Sequence, residues 1–145
     1  NMPDGEHTLR YYAVDNSSNA EEEKTFNFKT DRSDPVIKTI KPDEHTFYFN
    51  NIPLFGFLNR TVIVGFLNSK YDVFDNQSGI SKIEFYLDGK LMKTDTKEPY
   101  SFILSGRNIG RLSIVEVIAY DYSGRTSEKE HFVILSSLGL LGLFN

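Results

Sequence analysis

The sequence has no cysteine and no tryptophan, and no apolar run approaches the roughly 18 residues that a membrane-spanning helix needs. The missing cysteines exclude disulfide bonds, thiolate zinc sites and cysteine nucleophiles. A net charge of −4 argues against a nucleic-acid-binding surface, which would be basic. What remains is an ordinary globular chain of 145 residues, long enough for one domain with a core and some additional structure.

Aromatic residues are abundant, with 12 Phe and 8 Tyr, and both types favour β-strands. Apolar and polar residues alternate over 82–87, which places Ile83, Phe85 and Leu87 on one face of a strand. Asp88-Gly89 then supplies the positive φ angles of a type I′ hairpin turn. No sustained helical spacing of apolar residues occurs, so the chain is predicted to be all-β.

Similar alternation marks further short strands that are separated by turn residues. We predict them over 36–40, 45–49, 61–67, 70–75, 90–95, 100–104, 111–121 and 130–135. In the last strand Phe132 and Ile134 are expected to face the core. Seven or eight such strands over about 100 residues are typical of a β-sandwich, which we place at 34–135. The apolar tail at 136–145 is expected to dock as an extra strand on an exposed edge. The alternatives are a contact surface and the start of an anchor.

An internal repeat explains residues 1–33, which the sandwich does not need. The segment 9–28 aligns without gaps with 115–134 at a constant shift of 119 − 13 = 106, close to the length of one sandwich domain. The matching pairs include Ala13 with Ala119, Asp15 with Asp121, Ser17 with Ser123, and Phe26 with Phe132. We therefore interpret 1–33 as the last hairpin of a preceding copy plus a linker, and the sequence as a piece of a longer protein. An isolated hairpin is marginal in water, so this one is expected to pack on the sandwich or to pair with another chain.

The stretch IEFYLDGKLMKTDTKEPYSFIL at 83–104, followed by IVEVIAYDYSGRTSE at 114–128, resembles bacterial and archaeal Ig-like modules. The N-terminal hairpin is similar to the ending of chitobiase-type Ig-like repeats. Arg125 stands where the family commonly has Asn. The positions that match the family pattern are Glu84, Phe85, Tyr86, Asp88, Gly89, Asp95, Pro99, Tyr100, Ser101, Ala119, Asp121 and Gly124.

The resemblance implies an Ig-like antiparallel β-sandwich with an extra N-terminal hairpin, located outside the cell or on its surface. Such modules serve as spacers, adhesion modules or accessory domains of carbohydrate-active enzymes. We expect a non-catalytic structural or adhesive module whose partners are neighbouring Ig-like repeats, a surface protein or a polysaccharide. The alternative is a carbohydrate-binding accessory domain of a secreted glycoside-active enzyme.

Catalytic chemistry finds little support in the sequence, which has no nucleophile elbow, Walker loop or zinc-type histidine pair. The three histidines, His7, His45 and His131, are expected to be partly exposed strand residues. An enzyme would need His45 within hydrogen-bond reach of a carboxylate and a nucleophile. No cofactor is expected.

Calcium would suit the residue types, because loop carboxylates are often its ligands and several Asp and Asn lie near turns. Capping of turns by their own Asp and Asn side chains is the simpler explanation. The most informative calcium site would lie between domains, near Asp31 and Asp34. The other candidate ligands are Asp15, Asn19, Asp72, Asp75, Asp88 and Asp121.

Two further kinds of surface site are predicted. Outward-facing tyrosines would stack on sugar rings, and the candidate glycan contacts are Tyr48, Tyr86 and Tyr122. Such rings have two alternative roles, which are pairing across strands and packing against the neighbouring domain. Three N-x-S/T sequons predict N-glycosylation acceptors in loops, at Asn16, Asn59 and Asn76.

Overall fold

The computed structural model describes residues 2–56, 59–106 and 110–137, which form twelve β-strands. In chain order they are β1 (Gly5–Tyr11), β2 (Lys24–Thr30), β3 (Val36–Lys41), β4 (Thr46–Phe49), β5 (Ile52–Gly56), β6 (Thr61–Val64), β7 (Phe66–Phe74), β8 (Ile80–Leu87), β9 (Lys90–Asp95), β10 (Tyr100–Ser105), β11 (Arg111–Asp121) and β12 (Thr126–Ser136).

Two sheets face each other as a β-sandwich, and a third sheet is not hydrogen-bonded to either of them. The small sheet has the order β10-β7-β3, and the large sheet has the order β5-β4-β6-β12-β11-β8-β9. Pairing is antiparallel except where β6 pairs with β4 and with β12. The separate sheet is the N-terminal hairpin of β1 and β2. The predicted all-β sandwich is therefore confirmed.

The core lies between the two sheets and is filled by alternate residues of the strands. Phe85 of β8 stacks on Phe102 of β10 with ring centroids 5.7 Å apart, which joins the large sheet to the small one. The predicted inward positions of Ile83 and Phe85 are confirmed. Asp88 and Gly89 both have positive φ angles, as the predicted hairpin turn requires.

One predicted strand is divided in two, because the chain changes sheets within 61–67. β6 belongs to the large sheet and β7 to the small one, and Gly65 between them has a φ of +85°. Its N–H donates to the carbonyl of Ser136 at 2.9 Å, and its carbonyl accepts from the N–H of Gly106 at 3.0 Å. Glycine reaches this φ without the steric cost that a side chain would bring. β5 was not predicted.

The predicted inward face of the last strand is wrong. His131, Val133 and Leu135 are buried, whereas Phe132 is exposed. In the β11–β12 pair Val115 lies opposite His131, and side chains opposite each other share a face of the sheet. The buried position of Val115 therefore sets the inward face of β12, and a shift by one residue exchanges the two faces.

The N-terminal hairpin does not bury its apolar face on the sandwich, contrary to one of the two expectations for it. Leu9, Tyr11 and Phe26 remain about half exposed. The predicted docking of the tail falls almost entirely on 138–145, which lie outside the described residues; β12 itself ends at Ser136.

Candidate functional site

Three segments that are far apart in sequence meet at one end of the sandwich. They are the linker between β2 and β3, the loop between β7 and β8, and the turn between β11 and β12. Antiparallel pairing brings them together, because the end of β7 lies beside the start of β3 and the start of β8 beside the end of β11. Each segment contributes one aspartate, and carboxylate oxygens of Asp31, Asp75 and Asp121 lie within 4.8 Å of one another. We call these three residues the aspartate cluster.

Asp75 organises the loop that follows β7. Its Oδ1 accepts hydrogen bonds from the backbone N–H groups of Gln77 at 2.9 Å, Ser78 at 2.7 Å and Gly79 at 2.9 Å. Its Oδ2 is buried and has no hydrogen-bond partner among the described residues. One oxygen therefore shapes the loop, and the other is left without a donor.

Asp121 is arranged in the same way at the start of the β11–β12 turn. Its Oδ1 accepts from the backbone N–H of Arg125 at 2.8 Å and from the hydroxyl of Ser123 at 2.9 Å. The residue is only 3% exposed, and its Oδ2 is buried without a hydrogen-bond partner in 2–56, 59–106 or 110–137. Buried carboxylate oxygens normally find donors, so two such oxygens in one cluster are unusual.

Asp31 brings the linker into the cluster. Its Oδ2 accepts from the N–H of Ser78 at 3.0 Å, and its Oδ1 accepts from the N–H and the hydroxyl of Ser33 at 3.0 and 2.8 Å. Hydrogen bonds from Ser78, joined by those from Ser33, lower the pKa of the Asp31 carboxyl to about 2 against an opposing effect of burial. This carboxylate is therefore ionised throughout the neutral range.

Arg125 attaches the same linker from the other side. Its guanidinium donates from Nε to the carbonyl of Asp31 at 3.4 Å and from Nη1 to the carboxylate of Asp34 at 3.1 Å. The linker is therefore held by the β7–β8 loop through Ser78 and by the β11–β12 turn through Arg125. Oxygen ligands gathered in this way are what a hard divalent cation such as calcium binds.

The structure brings together only some of the predicted calcium ligands. Asp75 and Asp121 meet, and of the two linker aspartates Asp31 joins them, whereas Asp34 pairs with Arg125. The other candidates lie elsewhere; Asp88, for example, accepts from Ser113 and the backbone of Ile114. The repeat related Asp15 to Asp121, and the same D-x-S sequence at Asp31 is a signal that the sequence analysis did not use.

The candidate glycan contacts do not form one surface. Tyr48 is 0% exposed, so its expected outward position is wrong: the ring fills the core and its hydroxyl donates to Asp43. Tyr86 lies on β8 with its hydroxyl bonded to Glu84, and Tyr122 is 73% exposed in the β11–β12 turn. A platform for sugar stacking needs exposed rings side by side, which a buried Tyr48 cannot provide.

The three sequon asparagines, Asn16, Asn59 and Asn76, are exposed and lie outside the strands, where the sequence placed them. Their glycosylation stays a prediction.

The histidines divide into different environments. His131 is 7% exposed and its Nε2 lies 3.1 Å from the hydroxyl of Thr39, so the expectation of an exposed residue is wrong there. Burial, with a contribution from Lys129, lowers the pKa of His131. His7 is bonded to Thr30 and the carbonyl of Pro3. Within the described residues no hydrogen bond joins His45 to a carboxylate.

The chain is similar to known bacterial modules. Residues 66–114 match the family model described as "Bacterial Ig domain". The fold is similar to the fibronectin(III)-like modules of Clostridium thermocellum CbhA, with a TM-score of 0.56 and 18% identity, over 96% of this chain and 66% of that one. The chain thus spans slightly less than two thirds of that structure. No curated protein matches the sequence.

Bacterial Ig and fibronectin(III)-like modules are generally non-catalytic structural domains and typically occur in extracellular proteins. None of the described residues belongs to a helix long and apolar enough to cross a membrane. The resemblance to bacterial Ig-like modules is confirmed by the family match and the shared fold.

Proposed function

We propose that the chain is a structural spacer of a secreted or cell-surface protein, in which 1–33 closes one Ig-like repeat and 34–135 forms the next. The observation that carries this proposal is one turn structure that recurs 106 residues apart. In the sandwich, Asp121 donates its N–H to the carbonyl of Arg125 at 3.1 Å, and its Oδ1 accepts from the N–H of Arg125 at 2.8 Å. In the hairpin, Asp15 makes the same two bonds with Asn19, at 3.0 and 2.9 Å.

The equivalence extends beyond these bonds. The positive φ angle falls on matching residues, Ser18 at 66° and Gly124 at 88°. Leu9 on β1 is equivalent to Val115 on β11, and it is 52% exposed where Val115 is 0% exposed. The apolar face is half exposed on the N-terminal hairpin and buried on its equivalent. We expect this difference for a hairpin that is separated from the rest of its domain.

Similarity to solved structures supports the same arrangement. The likeness to fibronectin(III)-like modules covers 96% of this chain, a share that must include most of the hairpin as well as the sandwich. The linker is short and is held at both of its sides by Ser78 and Arg125. A short, attached linker keeps neighbouring sandwiches at a fixed distance, which is the mechanical work of a spacer.

The repeat can be tested in the native protein. We expect the residues upstream of this chain to supply the other strands of an Ig-like domain. Restoring them should bury Leu9, Tyr11 and Phe26 and slow hydrogen exchange in β1 and β2. Exchange that is unchanged by the upstream residues would overturn the assignment of the hairpin to a preceding domain.

A second experiment separates the spacer from a carbohydrate-binding accessory domain. Thermal unfolding is followed with a panel of soluble polysaccharides, because a ligand that binds only the folded state must raise Tm. We expect no saturable rise. A saturable rise with one polysaccharide would replace the spacer by the accessory role, and Tyr122→Ala would then be compared with Tyr12→Ala, which removes an exposed ring on the hairpin.

A further inference from the structure

We propose that Asp31, Asp75 and Asp121 bind a calcium ion that fixes the linker against the end of the sandwich. The binding site stands on the aspartate cluster alone. Only its consequence, a fixed orientation between successive modules, rests on the proposed spacer function.

The geometry of the aspartate cluster fits one cation. The three carboxylate oxygens lie within 4.8 Å of one another. Calcium holds oxygen ligands at 2.3–2.6 Å, so two ligands of one ion are separated by at most about 5 Å. The three carboxylates can therefore share one ion, and water or carbonyl oxygens would supply the other ligands that calcium needs.

Two buried oxygens in the aspartate cluster lack a hydrogen-bond donor within the part of the chain that the structure describes. These oxygens are Oδ2 of Asp75 and Oδ2 of Asp121. Leaving an anionic oxygen buried and unpaired is costly, so such a group requires a cation or a proton. None of the ion pairs within residues 2–56, 59–106 and 110–137 includes a member of the cluster.

The equivalent turn in the hairpin shows what the aspartate would do without a metal. There Oδ2 of Asp15 accepts a hydrogen bond from the side-chain amide of Asn19 at 2.9 Å, and both residues are exposed. In the sandwich Arg125 replaces that asparagine and directs its guanidinium to Asp34 and the carbonyl of Asp31. Arginine at this position therefore leaves Oδ2 of Asp121 without the donor that Asn19 gives to Asp15. The carboxylates of Asp31 and Asp75 lie next to the same oxygen's carboxylate.

The experiment is a calcium titration of the whole chain by calorimetry and by thermal unfolding, after treatment with EDTA. Extracellular calcium modules bind with a Kd of roughly 10⁻⁴–10⁻³ M, so about 10 mM calcium exceeds the expected Kd some 10- to 100-fold. Tm should then rise by roughly 4 °C or more. Absence of both binding heat and a Tm rise would overturn the proposal.

Matched variants locate the ion. Asp121→Asn and Asp75→Asn keep the shape of the side chain and should each weaken calcium binding at least about 10-fold, since each removes a charged ligand. In EDTA the same variants should be at least as stable as the parent, because they relieve repulsion within the cluster. Asp15→Asn changes the equivalent turn outside the cluster and should leave binding unaltered. Equal effects of Asp15→Asn and Asp121→Asn would contradict the site.

A further measurement reports on the linker. Trypsin can cut after Arg32, which lies in the linker and is exposed. In one calcium-containing buffer, the parent should be cut there more slowly than Asp121→Asn, and Asp15→Asn should behave as the parent. If calcium binds but cleavage rates are the same, the ion occupies the site without fixing the linker, and that part of the proposal is wrong.

Discussion

The β1–β2 hairpin and the β11–β12 hairpin share a sequence pattern and a turn, but only one of them has a core to cover. Near the turn their register is the same, because Val14 pairs with Ala20 as Tyr120 pairs with Thr126. Farther from the turn it differs by one residue: Leu9 lies opposite Phe26, whereas Val115 lies opposite His131.

The difference shows which part of a hairpin is set locally. Bonds from Asp15 or Asp121 to the following residues fix each turn, so the turn is the same in both places. The register of the strands is fixed where one face is buried, and β1–β2 buries none of its apolar face fully. The comparison therefore yields predictions in which equivalent positions respond differently.

Hydrogen exchange should show the largest contrast. Amides of β1 and β2 are expected to open with free energies near zero, because their sheet has two strands and an exposed apolar face. Amides in the middle of β11 should open only with global unfolding, typically about 5–15 kcal/mol. Exchange measured by NMR or mass spectrometry on one sample tests both. Similar protection in the two hairpins would show that the β1–β2 hairpin is stabilised by contacts absent from the structure.

Truncation of equivalent apolar residues should give the second-largest contrast between the two hairpins. Val115→Ala removes methyl groups from a fully buried position and is expected to cost about 2 kcal/mol of unfolding free energy. Leu9→Ala, the matched change on β1, should alter that free energy by less than about 0.5 kcal/mol. Urea unfolding of both variants measures the difference. A comparable loss for Leu9→Ala would mean that the hairpin unfolds together with the sandwich.

The third contrast concerns the turns themselves. Gly124→Ala places a side chain at a φ of +88°, and the new Cβ would meet no atom of the described residues within 4 Å. The substitution should therefore lower the free energy of unfolding only through the strained backbone conformation, by about 1–2 kcal/mol. Ser18→Gly, at the equivalent residue, should relax the hairpin turn without moving the urea midpoint of the sandwich. A Gly124→Ala variant as stable as the parent would contradict this account of the turn.

The smallest expected effect is the part of the pH dependence of stability that comes from His131. The equivalent residue of the β1–β2 hairpin is Thr25. Because burial lowers the pKa of His131 in the folded state, the unfolded chain takes up a proton that the folded chain does not. The contribution of His131 to the free energy of unfolding is therefore fully present above the unfolded pKa of about 6.5, and it is lost as pH falls below that value.

The measurement compares Tm at about pH 7.5 and 5.5, which bracket the unfolded histidine pKa. His131→Gln should lose less stability than the parent on acidification. Thr25→His, which adds a histidine at the exposed equivalent position, should leave the pH dependence of the parent unchanged. A parent and a His131→Gln variant with the same loss would show that carboxylates alone govern the acid response.

Sequence patterns predicted most of the strands, because alternation and turn residues act over a few neighbours. The hairpin at Asp88-Gly89 and the inward face of β8 are examples. The patterns failed where a choice depended on distant contacts. The inward face of β12 depended on the pairing of His131 with Val115, and the buried position of Tyr48 on packing within the core.

The sequence by itself determined the all-β character, the turns and the 106-residue recurrence of one hairpin. Alternation and turn residues act between neighbours in the chain, and the recurrence is the same local pattern found twice. Tertiary structure alone decided which hairpin buries its apolar face, and where the chain changes sheets at Gly65. It also brought Asp31 and Asp121 together across 121 − 31 = 90 residues. Such meetings follow from strand pairing and burial between distant segments, which no local pattern specifies.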